Sequence, residues 1–253
     1  MIFGKINLIV PTYNRSNTRL PQFISSFIGT AADVTRIHFT FVVNEDDRDT
    51  IDLLRDYPRA QIKMVVLPPS DKPHLAALMN AGFDQTPFKG DAWVYGYAGD
   101  DFVSRTDGWD AHVLSAVNRS KGMKCIWGFD DYLNDLPTYY FMPDRLFRAL
   151  DTPYWVYPHA GMELTDLITR DMLAPFGRLH HCPDLHLEHM HASRTDVGHD
   201  NTFARLQGAD NSRATAQDVK EYILKCQSNL KSYMRAHQSC PSSSAPSKSA
   251  LIS

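Results

Sequence analysis

Two adjacent carboxylates, Asp100 and Asp101, follow Gly99 at the end of an apolar run, Ala92 to Tyr97. Neighbouring carboxylates repel unless a positive charge sits between them. A hard divalent cation such as Mn²⁺ or Mg²⁺ answers that need, since it takes carboxylate oxygens and accepts phosphate and water as further ligands. A polar turn in which Asp caps the next segment is the plainer alternative. His189 and His191 are two residues apart. On a strand they share a face, where one imidazole can complete a metal shell or donate to a departing phosphate. A solvated pair of histidines is the alternative. Asp130 and Asp131 form another acidic turn after Trp127-Gly128-Phe129 and are read as lining a pocket.

These residues need a scaffold. Ile6 to Val10 is a continuous apolar run ended by Pro11, which suits a strand buried on both faces. Leu20, Phe23, Ile24, Phe27 and Ile28 recur at helical spacing before Gly29. Strands are expected at 37–43, 62–67 and 92–97, and helices at 47–55 and 74–81, the latter capped by Gly82. Alternating strands and helices imply an α/β fold with a mostly parallel, Rossmann-like sheet flanked by helices. Ligands of such sheets sit beyond the carboxyl ends of the strands. That directs attention to Pro11-Thr12-Tyr13-Asn14-Arg15, Asn44-Glu45-Asp46-Asp47 and Gly99-Asp100-Asp101. The stretch from 110 to 200 is less regular and rich in Asp, His, Tyr and Pro, with a strand pattern at 185–188. A helix is expected over 213–236, with Val219, Tyr222, Ile223, Cys226, Leu230, Tyr233 and Met234 on one stripe. Residues 237–253 read as a disordered tail by composition.

Taken in order, five segments resemble the nucleotide-sugar-dependent glycosyltransferases of family 2 type, which have the GT-A fold. They are INLIVPTYNR (6–15), Asn44 to Asp47, the helix from Lys72 with its Asn80-Ala81-Gly82 end, Gly99-Asp100-Asp101, and PDLHLEHMH (183–191). The last is similar to the His-bearing strand of a phage and bacterial branch. The resemblance spans roughly residues 5–204. Ala98 stands where many members carry an acidic residue, and Asn44-Glu45-Asp46-Asp47 replaces their commoner Asp-Asp-Gly-Ser.

The resemblance implies a single GT-A domain over 1–236. Its nucleotide-sugar half would be 1–110 and its acceptor half 111–212, followed by the helix at 213–236. Asp101 would bind Mn²⁺ or Mg²⁺, and Asp100 would share the metal or bind the ribose. His189 or His191 would complete the shell. Pro11, Tyr13, Asn44 and Asp46 would line the nucleotide, Arg15 and Lys72 would meet its diphosphate, and Trp109 would wall the donor sugar. Asp166 matches the place of the acceptor-side base, with Glu163 as runner-up. Trp155, Tyr157 and His159 would face the acceptor.

The expected function is metal-dependent, inverting transfer of a sugar from a nucleotide-diphosphate sugar to a hydroxyl, on a surface glycan or a modified base in phage DNA. Retaining chemistry, a nucleotidyltransferase and a non-catalytic nucleotide- or sugar-binding module remain alternatives. The chain has 253 residues, with 26 basic against 29 acidic side chains and a net charge of −3. That balance argues against a nucleic-acid coat. There is no run of about 18 apolar residues and no signal-peptide pattern at the start, so a cytoplasmic chain without a membrane span is expected. Four scattered cysteines without a CxxC pair read as buried free thiols.

Overall fold

A computed structural model describes residues 2–57, 61–69, 75–133, 135–158, 162–191 and 215–238, with the side chains of 162–164 excepted. The first half follows the apolar pattern closely. Strand β1 (Lys5–Pro11) pairs in parallel with β2 (Ile37–Asn44) on one side and β4 (Trp93–Tyr97) on the other, and β3 (Ile62–Leu67) extends β2. Alternation along β1 divides the core. Ile6, Leu8 and Val10 join one apolar cluster, and Ile9 joins the cluster on the opposite face. Helix α1 (Arg19–Gly29) covers the first face with Leu20, Phe23, Ile24 and Phe27, and the Phe23 ring meets Phe39 and Phe41 edge-on. Each such buried side chain contributes about 1.5–3 kcal/mol.

Helix α2 (Arg48–Arg55) begins at Asp47, whose carboxylate accepts the Thr50 N–H at 3.3 Å. Helix α3 (Leu75–Gln85) covers the second face with Ala76, Met79 and Phe83. It runs past the expected stop at Gly82. A Cβ there would lie 2.7 Å from both Ile9 and Val42, so this glycine lets the helix approach the sheet and does not cap it.

The second half adds β5 (Phe102–Ser104), α4 (Trp109–Arg119), β6 (Cys125–Phe129), β7 (Tyr140–Pro143), α5 (Asp144–Leu150), α6 (Met162–Leu173), β8 (Leu179–His189) and α7 (Ala216–Gln238). The eight-stranded sheet has the order β3-β2-β1-β4-β7-β6-β8-β5. Strand β7 runs antiparallel to both β4 and β6, so β4 and β6 point the same way, and β8 runs parallel to β6. The carboxyl ends of β1, β2, β4, β6 and β8 therefore share one edge. Three motifs far apart in sequence meet there.

Helix α7 buries Cys226 and Leu230 against the second cluster, and Asn229 donates to the Leu150 carbonyl at 3.0 Å. Cys125, Cys182 and Cys226 are buried free thiols, as expected. Among the described residues no helix is long and apolar enough to cross a membrane. The expected tail falls on residues outside the description from 239 onward.

Candidate active site

The chain leaves β4 at Tyr97 and turns through Ala98 and Gly99 into the two acids. Asp100 is buried, and the buried Arg15 guanidinium, from the loop after β1, donates to its Oδ1. Its Oδ2 is also buried, beside the Thr12 hydroxyl. Burial pushes the carboxyl up to about 6, against the pull of Arg15. Removing one partner of such a pair leaves an uncompensated buried charge. Asp101 turns the other way, with Oδ2 at 3.9 Å from Arg15. A Cβ on residue 99 would fall 2.4 Å from Asp101 Oδ1, so glycine there makes room for the folded-back carboxylate.

His189 closes the site from the end of β8. Its ring stacks on Phe102 with centroids 4.2 Å apart. Its backbone is pinned on both sides. The His189 N–H donates to the Asp130 carbonyl and the Met190 N–H to the Asp101 carbonyl, each at 2.8 Å. Nε2 then faces Asp101 Oδ2 at 3.7 Å, and Nδ1 faces Asp130 Oδ2 at 3.9 Å. Burial opposes the ring's charge, but the two carboxylates outweigh it and push the imidazole up to about 9. Reciprocally, Asp101 is held well below the usual carboxylate range: burial opposes its charge, but His189, Arg15 and Arg19 favour it. Arg19 also donates to the Met190 carbonyl. His191 lies beside His189, ring centroids 5.1 Å apart, and stacks on Tyr132 at 4.3 Å. Burial and the charge of His189 lower its pKa.

Asp130 does not line a sugar pocket. It is fully buried, its Oδ1 accepts the N–H groups of Tyr132 (2.9 Å) and Leu133 (2.8 Å), and its Oδ2 accepts the Thr138 hydroxyl. Asp131 instead pairs with His186 Nε2 at 2.7 Å. Asp166, in the second turn of α6, is half-buried with Oδ1 enclosed and unpartnered among the described residues. Burial pushes its carboxyl up to about 8, with His189 pulling it down and Asp130 pushing it further up. Glu163 lies on the same helix, and its side chain is outside the description.

The nucleotide-side residues divide. Pro11 and Asn44 end β1 and β2, and Tyr13 reaches the exposed Asp46 with its hydroxyl at 3.4 Å. Asp47 ties the two loops together by accepting the Asn14 N–H at 2.7 Å. Arg15 is engaged with Asp100 through one guanidinium nitrogen. Trp109 is a core residue rather than a wall of the donor pocket. It is completely buried, stacks near Phe141, and donates from Nε1 to the Phe27 carbonyl at 2.9 Å. Trp155 is likewise buried among Phe83, Tyr97 and Tyr140. Lys72 and His159 lie outside the described residues.

Asp101 and His189 fit a divalent cation as a two-donor set. An oxygen and an imidazole nitrogen 3.7 Å apart can both reach one ion after a small adjustment. Asp100 is occupied by Arg15. Among the described residues no group of three or more His, Cys, Asp or Glu is placed to enclose an ion, so remaining ligands would come from a bound phosphate and water.

The architecture is shared with glycosyltransferases of known structure. The mannosyltransferase PcManGT from Pyrobaculum calidifontis, in complex with GDP-Man and Mn²⁺, matches with a TM-score of 0.57 and 11% identity, over 96% of this chain and 77% of that one. TarS from S. aureus, in complex with UDP-GlcNAc, matches at 0.51 and 13%, over 92% and 74%. GalNAc-T7 with UDP, GalNAc and Mn²⁺ matches at 0.56 and 10%, over 74% of this chain and 44% of that one. No family model and no curated protein sequence matches the chain. At these identities the likeness establishes the fold, which is of the GT-A type.

Proposed function

We propose that this chain is a metal-dependent, inverting glycosyltransferase that moves a sugar from a nucleotide-diphosphate sugar to a hydroxyl acceptor. One observation carries the reading: Asp101 and His189, 88 positions apart in sequence, converge to 3.7 Å at the carboxyl edge of a GT-A sheet. Ligands of open α/β sheets bind at that edge. The solved GT-A neighbours with GDP-Man and Mn²⁺, or UDP, GalNAc and Mn²⁺, support a nucleotide sugar and a divalent ion as the ligand classes.

In this reading Asp101 and His189 hold Mn²⁺ or Mg²⁺. When bound, the ion shares the negative charge that builds on the departing diphosphate. Arg15 keeps Asp100 ionised and the turn rigid, so that Asp101 is presented in one geometry. Tyr13, Asn44 and Asp46 form the rim that meets the nucleotide. Asp166 is the base. Its enclosed Oδ1, without a hydrogen-bond partner among the described residues, accepts the acceptor's proton as the hydroxyl oxygen attacks the anomeric carbon. A carboxylate raised towards 8 by burial is a stronger base than one in water and must be ionised to act, so the rate rises with pH through about 8. One base and one displacement give inversion.

The test is release of free nucleoside diphosphate from a panel of nucleotide sugars, with and without Mn²⁺. Turnover of one donor that requires the ion supports the proposal. Donor binding without metal-dependent release over long incubation would contradict it and favour a binding module.

A further inference from the structure

We infer that the amino edge of the sheet, opposite the candidate site, docks the chain onto an anionic lipid bilayer. Six cations gather there from α4, α5, α7 and the turns before β6 and β8. Strand β7 runs against its neighbours, so its end, and Arg145 in the first turn of α5, lie beside the amino ends of β4 and β6. Lys124 precedes β6 and Arg178 precedes β8, and the two strands start in register at Cys125 and Leu179. The Arg178 carbonyl accepts the Cys125 N–H at 2.8 Å. Arg119 ends α4, Lys121 follows it, and Arg145 donates to the Lys121 carbonyl at 3.1 Å. Lys231 extends the patch from α7, its ammonium 5.5 Å over the ring of Phe176, which lies just before Arg178.

None of the six has an acidic partner among the described residues. Asp144 beside Arg145 and Asp171 on α6 are held instead by Arg148 at 2.6 Å and Arg170 at 2.8 Å. The positive charge is therefore not cancelled locally, although the whole chain carries −3. His180 on β8 reports the same field: burial, then the charges of Lys124, Arg119 and His181, lower its pKa. The carboxyl edge carries Glu45, Asp46 and Asp101. An anionic surface attracts the one edge and repels the other, which orients the chain.

An exposed apolar group assigns the surface to lipid rather than to nucleic acid. Ile2 is 81% exposed. Phe3 beside it is buried, and its backbone is bonded in both directions to the Asn118 side chain, at 2.8 and 2.9 Å. The Phe3 ring packs on Gly122, where a Cβ would collide with it. Ile2 is thus anchored next to Arg119 and Lys121. An aliphatic side chain among Lys and Arg suits the boundary between lipid headgroups and acyl chains, whereas a phosphodiester backbone offers it no partner. Docked this way, the chain turns its carboxyl edge towards water.

Sedimentation with phosphatidylcholine vesicles, with and without phosphatidylserine, tests the assignment. Binding of the wild type should require phosphatidylserine and weaken steeply with added salt. The double variant Lys121→Gln, Lys124→Gln should bind about 25-fold more weakly, about 5-fold for each charge removed. Ile2→Ser should bind about 10-fold more weakly. Circular dichroism checks that both variants stay folded, and the wild-type lipid and salt dependence needs neither of them. A wild type that ignores phosphatidylserine overturns the inference. So does vesicle binding that the paired lysine substitution leaves unchanged, because another face would then carry it. A labelled DNA duplex is the competing ligand: a wild type that binds the duplex but not the vesicles overturns the lipid assignment and gives the edge to nucleic acid.

Discussion

The loops after β1 and β2 carry Tyr13 and Asp46 at the surface, with a 3.4 Å hydrogen bond between their side chains, whereas the segments after β4 and β6 bury Asp100 and Asp130 and join them in one network with the half-buried His189 at the end of β8. Both flank the same edge of the sheet. On the rim, replacing a side chain should change a ligand contact while the fold stays. In the network, each charge is balanced by a neighbour, so chemistry and stability rest on the same residues. That arrangement predicts different responses to comparable substitutions.

Asp101→Ala should have the largest effect. It removes one of two metal donors and should abolish metal-dependent diphosphate release while the protein stays folded, as activity assays and circular dichroism would show. Asp166→Asn should lower the transfer rate by about 10²- to 10⁴-fold. It should also remove a pH dependence of stability. The native carboxyl keeps its proton up to about 8, whereas an ordinary aspartate releases it near 3.8, so between those values the unfolded chain binds fewer protons and stability falls as pH rises. Melting temperatures of wild type and Asp166→Asn should therefore diverge in the variant's favour from pH 5 towards pH 9. Parallel curves would remove Asp166 from the buried network.

Arg15→Met should leave Asp100 buried without its partner and cost about 3–5 kcal/mol in urea unfolding. A loss below about 1 kcal/mol would place Arg15 with the rim residues. Gly99→Ala sharpens the comparison, because its Cβ has to displace the Asp101 carboxylate. Mn²⁺ affinity should weaken, with only a small change in melting temperature. Tyr13→Phe should be the mildest, within about 0.5 kcal/mol in stability. Any change it makes should appear in the KM for the nucleotide donor.

The first half was legible because its strands are continuous apolar runs and α1 has a clear helical stripe, and every strand expected there is present. The exception is Gly82, where close packing and helix capping leave the same residue type in the sequence. Past residue 110 the pattern fades. Strands β6 and β7 are only five and four residues long and buried along nearly their whole length, so alternation never develops. The segment at 185–188 showed its period, but β8 begins at Leu179, where the pattern is not visible. Chemistry and motif order bring Asp101 towards one of His189 and His191 without choosing between them. The engagement of Asp100 by Arg15 and the place of Asp130 behind His189 depend on tertiary contacts across 85 and 59 positions, for which local spacing holds no signal. Trp109 shows the converse. An aromatic residue near an acidic motif suggested a sugar wall, yet the Phe27 carbonyl satisfies its N–H inside the core.

The most direct test is calorimetric titration of a nucleoside diphosphate into wild-type protein and Asp101→Ala, each with and without Mn²⁺. The proposed site predicts that Mn²⁺ tightens binding to the wild type and that Asp101→Ala loses this gain. Nucleotide binding indifferent to both Mn²⁺ and Asp101 would contradict the assignment of this edge as a metal-assisted donor site.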